Sequence, residues 1–232
     1  NGCGIVINAA GVAKNQLGAT IAPDGTNEDL YKVSFDLIRK AVKALVRNRA
    51  QRNSEIVTGS TKISTQPVAK AYYAIIDADV KSDLEVLKRG NGTYSEEFVY
   101  IPAHKYADIG SLADGEVGAM HEVRFIEAES AVVYAGKGAS VNANYVGTLA
   151  YTGTKGVDAK FDVHTILFPT EGSFATVGLK GQGKIKFNSQ DPSKVELINP
   201  YGTTGFFSYN FFYAGIILEE EKLLAVYTGA SN

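Results

Sequence analysis

The stretch from Phe206 to Leu218 constrains the fold of this chain more than any other, because it is aromatic or aliphatic almost throughout. At about 3.3 Å per residue, an extended stretch of this length would reach roughly 43 Å, well beyond an average strand. Glu219–Lys222 is a charged turn, and Leu223–Tyr227 is apolar again. The pattern therefore predicts a long hairpin whose second strand is Leu223–Tyr227.

The two faces of that predicted strand differ little in polarity. Alternation places one aromatic set together, namely Phe207, Tyr209, Phe211 and Tyr213. Phe206, Phe212 and Ala214 fall on or near the other face. A strand that is apolar on both faces is normally sandwiched in a core, but it can also line a subunit interface, where Tyr and Phe are enriched.

Two helices are predicted in the first half of the chain. Thr26 and Asp29 resemble a capping box, and apolar residues at helical spacing then continue to about Val46. A shorter helix is predicted from Ala78 or Asp79 to about Leu87.

Strands are predicted from β-branched and apolar runs, and turns from Asn-Gly and Asp-Gly pairs such as Asn91-Gly92. The predicted strands are Ile5–Ile7, Ala71–Ile76, Phe98–Ile101, Val123–Ala128 and Ala131–Tyr134. From Glu55 the pattern also turns to β-branched residues, broken by Gly59, namely Ile56, Val57, Thr58 and Ile63. The stretch near 135–160 is rich in glycine and is predicted to be an extended loop or insertion. Together these elements predict an α+β protein.

Composition excludes several classes of protein. A hydrophobic fraction of 45% without a long apolar run excludes intrinsic disorder and a membrane-spanning helix. Cys3 is the single cysteine, so neither an internal disulfide nor a thiolate metal site is expected. A formal charge of −2 argues against a protein that binds nucleic acid over its whole surface.

The segment Gly178–Lys184 has the glycine and lysine spacing of a phosphate-binding loop. That motif also needs Ser or Thr next and then a helix. Ile185 follows instead, and Ile185–Phe187 is predicted to be a strand, so a glycine-rich turn is the favoured interpretation.

Few residues suggest catalysis. His104, His121 and His164 lie far apart without metal-ligand spacing, and they are interpreted as surface or internally satisfied histidines. Glu127 and Glu129 are predicted to share one side of a strand, where a carboxylate pair is more often solvated than catalytic. No catalytic residue, cofactor or metal ion is therefore predicted.

A run of six bases without an intervening acid ends the first helix. It comprises Arg39, Lys40, Lys43, Arg47, Arg49 and Arg52. Such a run either contacts nucleic acid or an acidic partner surface, or it is a solvated face that complements the helix dipole.

Several blocks, in order, resemble one family: the major capsid proteins of tailed bacteriophages with the Hong Kong 97-type fold, in the branch typified by the N-four podophage. The blocks are Asp29–Arg49, Glu55–Thr65, Tyr72–Glu85, Gly115–Gly136, His164–Gly181 and Asp191–Leu218. Their order and spacing, rather than any single block, carry the resemblance.

The resemblance implies a structural virion protein and not an enzyme. Residues 28–185 would form mainly the A-domain, with the insertion near 135–160. Residues 1–27 would lie on the P-domain side, and residues 186–232 would form a long hairpin running into the P-domain sheet. Residue 1 is Asn and the single methionine is Met120, so a longer translation product is expected. The family's N-terminal arm, E-loop and spine helix would then precede this chain.

The partners implied by the resemblance are further copies of the chain, in hexamers and pentamers of an icosahedral shell. Packaged double-stranded DNA would be bound non-specifically, and portal, scaffolding or decoration proteins are further implied partners. Assembly would take place in the host bacterial cytoplasm, and no membrane is expected as a partner. The alternative from the residues alone is a soluble hydrolase or carbohydrate-binding module, with a site assembled from residues such as Glu127, Glu129 or His164.

Overall fold

The computed structural model describes residues 3–57, 65–87, 99–100, 113–177, 185–193, 195 and 199–232. The chain divides into two compact units. The larger unit combines residues 1–173 with residues 219–232, and the smaller unit is Phe174–Leu218.

Helix α1 runs from Phe35 to Arg47, later than the sequence predicts. The Ser34 side chain caps it by accepting a hydrogen bond from the Leu37 N–H at 3.2 Å. The predicted start at Thr26 is wrong, because Glu28–Leu30 forms a separate 3₁₀ turn. The Glu28 side chain is drawn into buried hydrogen bonds there, and Leu30 of the same turn is exposed rather than packed.

The main sheet is mixed, and it contains nine strands among the described residues. In order across the sheet, the strands of the main path are β1 (Ile5–Asn8), β15 (Leu224–Thr228), β10 (Val163–Phe168), β3 (Thr65–Ile76), β6 (Val123–Glu127), β5 (Glu116–Met120) and β4 (Val99–Tyr100). Two more strands pair from the side: β2 (Asn53–Val57) with β3, and β7 (Val133–Tyr134) with β10. The β1–β15 and β3–β6 pairs are parallel, and the other pairs are antiparallel.

Helix α2 (Ala78–Glu85) follows β3 directly and confirms the short helix predicted there. The Asp77 side chain caps it by accepting from the Val80 N–H at 3.1 Å. Val80 and Leu84 are buried on its inner face, as helical spacing requires. The α+β class is confirmed, and so are strands close to most predicted positions, while the Asn91-Gly92 turn lies outside the described residues.

The predicted partner strand of the aromatic segment is misplaced. Strand β15 lies between β1 and β10 rather than against Phe206–Leu218, so the predicted hairpin is wrong. Every residue of β15 is buried. A short run that is apolar on both faces suits a central strand covered on both sides.

Strand β15 separates two hydrophobic cores. Leu224 and Val226 face the core that contains helices α1 and α2, whereas Ala225 and Tyr227 face a second core. The second core includes residues from the glycine-rich stretch, namely Val141, Tyr145, Leu149 and Ala159. This stretch has little regular structure beyond a short pair formed by β8 (Tyr151–Thr152) and β9 (Lys160–Phe161). It is irregular, as predicted, but it packs a core of its own.

The smaller unit is an antiparallel ribbon. Strand β11 (Phe174–Val177) pairs with β14 (Ala214–Ile217), and β12 (Lys186–Gln190) pairs with β13 (Phe206–Asn210). The aromatic segment therefore belongs to a hairpin, but its partners are the strands before it, and residues 211–213 interrupt it.

Candidate functional site

The ribbon Phe174–Leu218 is exposed over most of its apolar surface. All residues of β13 and β14 are exposed, although most are aromatic or aliphatic. Among the described residues, every exposed Phe and Tyr lies in this ribbon: Phe174, Phe187, Tyr201, Phe206, Phe207, Tyr209, Phe211, Phe212 and Tyr213. The core interpretation of this segment is thus wrong for the isolated chain, and the interface interpretation remains.

One side of the β12–β13 pair is an aromatic face, formed by Phe187, Phe207, Tyr209 and Phe211. Phe187 lies opposite Tyr209 in the register, so the two share a side of the ribbon. Phe187 and Phe207 stack at 5.9 Å between ring centroids, and Tyr209 and Phe211 stack at 6.0 Å. This arrangement agrees with the common side predicted for Phe207 and Tyr209.

The opposite side of the same pair is mostly polar. It carries Lys186, Asn188, Gln190, Phe206, Ser208 and Asn210. A strand pair with one apolar and one polar side is the usual pattern of a sheet that is covered on one side only.

The turn at the far end of the ribbon is organised by one buried amide. Asn199 Nδ2 donates to the Thr204 carbonyl at 2.6 Å and to the Pro192 carbonyl at 3.2 Å. Asn199 Oδ1 accepts from the Thr203 N–H at 3.1 Å. These bonds hold Pro192, which follows β12, close to Thr203 and Thr204, which precede β13.

The predicted basic run is largely an exposed side of α1. Arg39, Lys40, Lys43, Arg47 and Arg49 are exposed. Arg39 pairs with Asp36 at 3.4 Å. Arg52 is set apart from this group, because it is only half-exposed, pairs with Glu122 and lies over the Tyr72 ring at 5.2 Å.

His164 is almost fully buried rather than on the surface. Its Nδ1 contacts the Asp77 carboxylate, whereas its buried Nε2 has no hydrogen-bond partner among the described residues, so the expectation of an internally satisfied histidine is met at one ring nitrogen only. With Asp79, these residues form the one group in the described part of the chain that could hold a metal ion, with ligand atoms within 4.8 Å of one another. Burial opposes the charged form, but Asp77, Asp79 and Asp162 outweigh burial and raise the pKa of His164. Burial likewise opposes ionisation of Asp77, and the His164 contact overcomes it and lowers the Asp77 pKa.

Folding stability is expected to decrease as pH rises through the folded-state pKa of His164. That pKa lies above the ordinary 6.5, so the stabilisation is fully present below pH 6.5 and is lost above it. Asp77→Asn keeps a good helix cap but removes the main charge that raises the His164 pKa. Chemical denaturation from about pH 5.5 to 8.5 should show that wild type has a larger free energy of unfolding than Asp77→Asn. This difference should become smaller as pH rises. Asp79→Asn is the control with a smaller expected effect, and a pH-independent gap would contradict the prediction.

The other predicted catalytic candidates are not brought together. Strand β6 ends at Glu127, so the exposed Glu129 lies beyond the strand and the predicted common side is wrong. Glu127 is held by Lys81 Nζ at 2.8 Å. His121 occupies the turn between β5 and β6 and packs edge-on against Phe35. His104 lies outside the described residues.

Two further sequence candidates give no site. Gly178–Lys184 lies outside the described residues, and the chain after Ile185 is strand β12 rather than a helix. Cys3 is a free, half-buried thiol whose pKa is raised by burial.

Sequence reasoning missed a buried carboxylate network around Glu28. Its carboxylate accepts from the Tyr145 hydroxyl at 2.5 Å and from the Thr148 N–H and hydroxyl at 3.0 and 2.9 Å. Burial opposes its ionisation, but these bonds and the Lys32 charge lower the pKa of Glu28. A Cβ at Gly147 would overlap this carboxylate, so glycine is required there. The network ties the glycine-rich stretch to the 3₁₀ turn Glu28–Leu30, and no local sequence motif indicates it.

An open groove of about 1430 Å³ lies beside β1 and the N-terminus of α1. Its lining mixes exposed aliphatic side chains such as Val6, Leu30 and Val86 with Lys40 and Asp83.

The described residues contain no helix long and apolar enough to span a membrane.

Comparison with known protein families gives no match. Among curated proteins, the chain is similar to the protein named "Major capsid protein" of Pseudomonas phage KPP21, with 25% identity over 230 residues. The match covers 97% of this chain and 55% of that protein, so the chain spans about half the length of the curated relative it matches. The resemblance to phage major capsid proteins that the sequence blocks indicate is thereby confirmed.

Two solved phage structures are also similar to this chain. The head structure of Helicobacter pylori bacteriophage KHP40 matches with a TM-score of 0.39 and 11% identity, over 87% of this chain and 59% of that chain. The acid-stable capsid structure of Helicobacter pylori bacteriophage KHP30 matches with a TM-score of 0.39 and 10% identity, over 91% and 63%.

Proposed function

We propose that this chain is part of a major capsid subunit that self-assembles into the hexamers and pentamers of an icosahedral shell around double-stranded DNA. The observation that carries the proposal is the similarity to a phage major capsid protein across 97% of the chain. The role is structural rather than enzymatic, and it is exercised in the virion after assembly in the host bacterial cytoplasm.

The geometry of the described residues supports a protein that associates through its surface. The ribbon exposes nine Phe and Tyr side chains, while the candidate acid–base groups Glu127 and His164 are engaged by Lys81 and Asp77. Interfaces are enriched in Tyr and Phe, whereas an active site needs convergent polar groups in a pocket. Heterologous contacts of this kind close into rings when the rotation between copies allows it.

We further propose the Hong Kong 97-type arrangement, with residues 28–185 mainly in the A-domain. Residues 1–27 and 186–232 are assigned to the P-domain side. The parallel pairing of β1 with β15 places Ile5 beside Leu224, which supports grouping residues 1–27 with the C-terminal strand. Strand β15 also pairs with β10 of the proposed A-domain.

The basic run Arg39–Arg52, most of which is exposed on α1 or just after its end, is proposed to face a neighbouring subunit or the packaged DNA. Arg47→Glu combined with Arg49→Glu is expected to reduce the yield of filled particles by about tenfold or more, because like charges placed against each other cost several kcal/mol. Particle yield and DNA content, measured on purified material, report the effect.

The matched control is Lys137→Glu with Lys160→Glu, which changes the net charge equally at two other exposed lysines. Normal yields of filled particles from the Arg47 and Arg49 variant would contradict the assignment of this surface.

Electron microscopy of the complete gene product tests the function itself. Regular closed shells are expected. Small discrete particles with hydrolytic turnover or carbohydrate binding would overturn the proposal in favour of the enzyme or binding-module class.

A further inference from the structure

We propose that the aromatic face of the ribbon docks on a second copy of this chain. The inference rests on the proposed function and goes further, because it assigns one contact to four side chains: Phe187, Phe207, Tyr209 and Phe211.

The first argument is the contrast between the two sides of the β12–β13 pair. Each ring of the aromatic face is between 55% and 68% exposed. The opposite side presents polar residues such as Asn188, Ser208 and Asn210, with Phe206 as its one aromatic ring. A one-sided apolar pattern in a strand pair indicates a side that is covered, and no other described strand of the ribbon covers these rings.

The second argument is area. An aromatic side chain offers about 200 Å² of surface for burial, so the four half-exposed rings present roughly 500 Å². A partner surface of equal size brings the total to about 1,000 Å², which is the lower end for a specific protein–protein interface. Exposed apolar patches of this size on a soluble protein usually mark interaction sites.

The third argument is the marginal stability of an isolated ribbon. Two-stranded hairpins are marginal in water unless a third strand or another layer covers them. This ribbon nevertheless has hydrogen bonds from the buried Asn199 beside its strand ends and two stacked ring pairs. A strand pair with a bare apolar side fits a partner that supplies the missing layer.

The chemistry of the aromatic face favours protein over nucleic acid. The four rings carry no charge, and Lys186, the one cation among the described residues of the ribbon, belongs to the opposite side. Single-stranded nucleic acids are bound by aromatic rings only where a basic groove follows the phosphates. A second copy is favoured among proteins, since self-association is the property that the proposed function requires.

Site-specific photocrosslinking of the complete gene product tests the contact. Phe207→p-benzoylphenylalanine places a reactive ring in the aromatic face at little steric cost. Ser208→p-benzoylphenylalanine, one residue on, places the same group on the polar side and is the matched control. The position-207 protein should give a crosslinked species of twice the subunit mass, at least tenfold more abundant than from position 208, with both peptides mapping to this chain.

Several outcomes would overturn the inference. Crosslinks confined to one chain would mean that another segment of the same subunit covers the face. Crosslinks to a different protein would assign the face to another partner, and equal yields at positions 207 and 208 would remove the contrast between the two sides.

A double variant separates this inference from the proposed function. Phe207→Ser with Tyr209→Ser should reduce shell formation at least tenfold, whereas Asn188→Ser with Asn210→Ser, on the polar side, should leave it near the wild-type level. If wild type and both variants form shells equally well, the inference fails while the capsid function stands. If wild type forms no shells, the capsid function fails, and crosslinked dimers through position 207 still decide the contact.

Discussion

Replacing Glu28 by Ala is expected to lower the free energy of unfolding by about 3–5 kcal/mol. The substitution removes the shared acceptor of the Tyr145 hydroxyl and the Thr148 N–H, and it leaves Lys32 without its partner carboxylate at 3.8 Å. Buried donors that lose their acceptor each cost about 1–3 kcal/mol. Equilibrium denaturation at neutral pH measures the change.

Two further variants remove smaller parts of the Glu28 network and are expected to lower the free energy of unfolding by less. Glu28→Gln keeps one oxygen acceptor but places an NH₂ group among donors, so its stability should fall between that of wild type and that of Glu28→Ala. Tyr145→Phe removes one bond to Glu28 and the acceptor of the Leu149 N–H, which is bound at 2.9 Å, and should cost about 1–3 kcal/mol. A loss below 1 kcal/mol for Glu28→Ala would show that the network does not hold the glycine-rich stretch in place.

The Glu28 contribution also has a defined pH dependence. Its folded-state pKa lies below the ordinary 4.5, so its stabilisation is present above pH 4.5 and is lost as pH falls through the folded-state value. The stability difference between wild type and Glu28→Gln should therefore shrink in acid.

Leu45→Ala is expected to destabilise the chain by about 2–5 kcal/mol, because it opens a cavity between α1 and the main sheet. Leu45 has no exposed surface and belongs to the same core as Leu224 and Val226 of β15. The next residue supplies the control, since Val46 is 50% exposed. Val46→Ala should stay within about 0.5 kcal/mol of wild type in thermal and chemical denaturation. Equal losses at both positions would contradict the inward orientation of Leu45.

Local patterns in the sequence predict the elements whose causes are local. Helix α2 follows from Asp77 as cap and from the spacing of Val80 and Leu84, and β3 follows from its apolar run. The start of α1 is missed because Leu30 matches the helical spacing of the residues after it, although it lies in a separate turn. Ser34, the residue that caps the helix, is an equally good cap by type.

Long-range pairing is where the sequence-based predictions are wrong. A hairpin between Phe206–Leu218 and Leu223–Tyr227 is the shortest connection, and neighbouring strands often pair. Strand β15 instead takes a place between β1 and β10, where both of its faces are buried. The pairing of β15 depends on which strands and core layers distant segments of the chain provide. A local stretch of sequence does not contain that information.

The candidate site also has features that the local sequence predicts and features that depend on the whole fold. The common side of Phe207 and Tyr209 follows from alternation alone. Whether that side is exposed depends on which other segments pack against it. The structure is therefore needed to distinguish an interface strand from a core strand. The buried hydrogen bonds of Glu28 could not be predicted from the sequence either, since its partner Tyr145 lies more than a hundred positions away.

The central place of β15 has a consequence for how the chain is made. This strand lies between residues 5–8 and residues 163–168 and closes both cores at once. A polypeptide that ends before Leu224 therefore leaves both hydrophobic cores incomplete and exposed to water. Strand pairing between segments that are distant in sequence also forms slowly. During translation the larger unit can finish folding only after residue 228 has emerged from the ribosome. Prematurely terminated copies would expose the apolar residues of both cores and would be subject to proteolysis or aggregation.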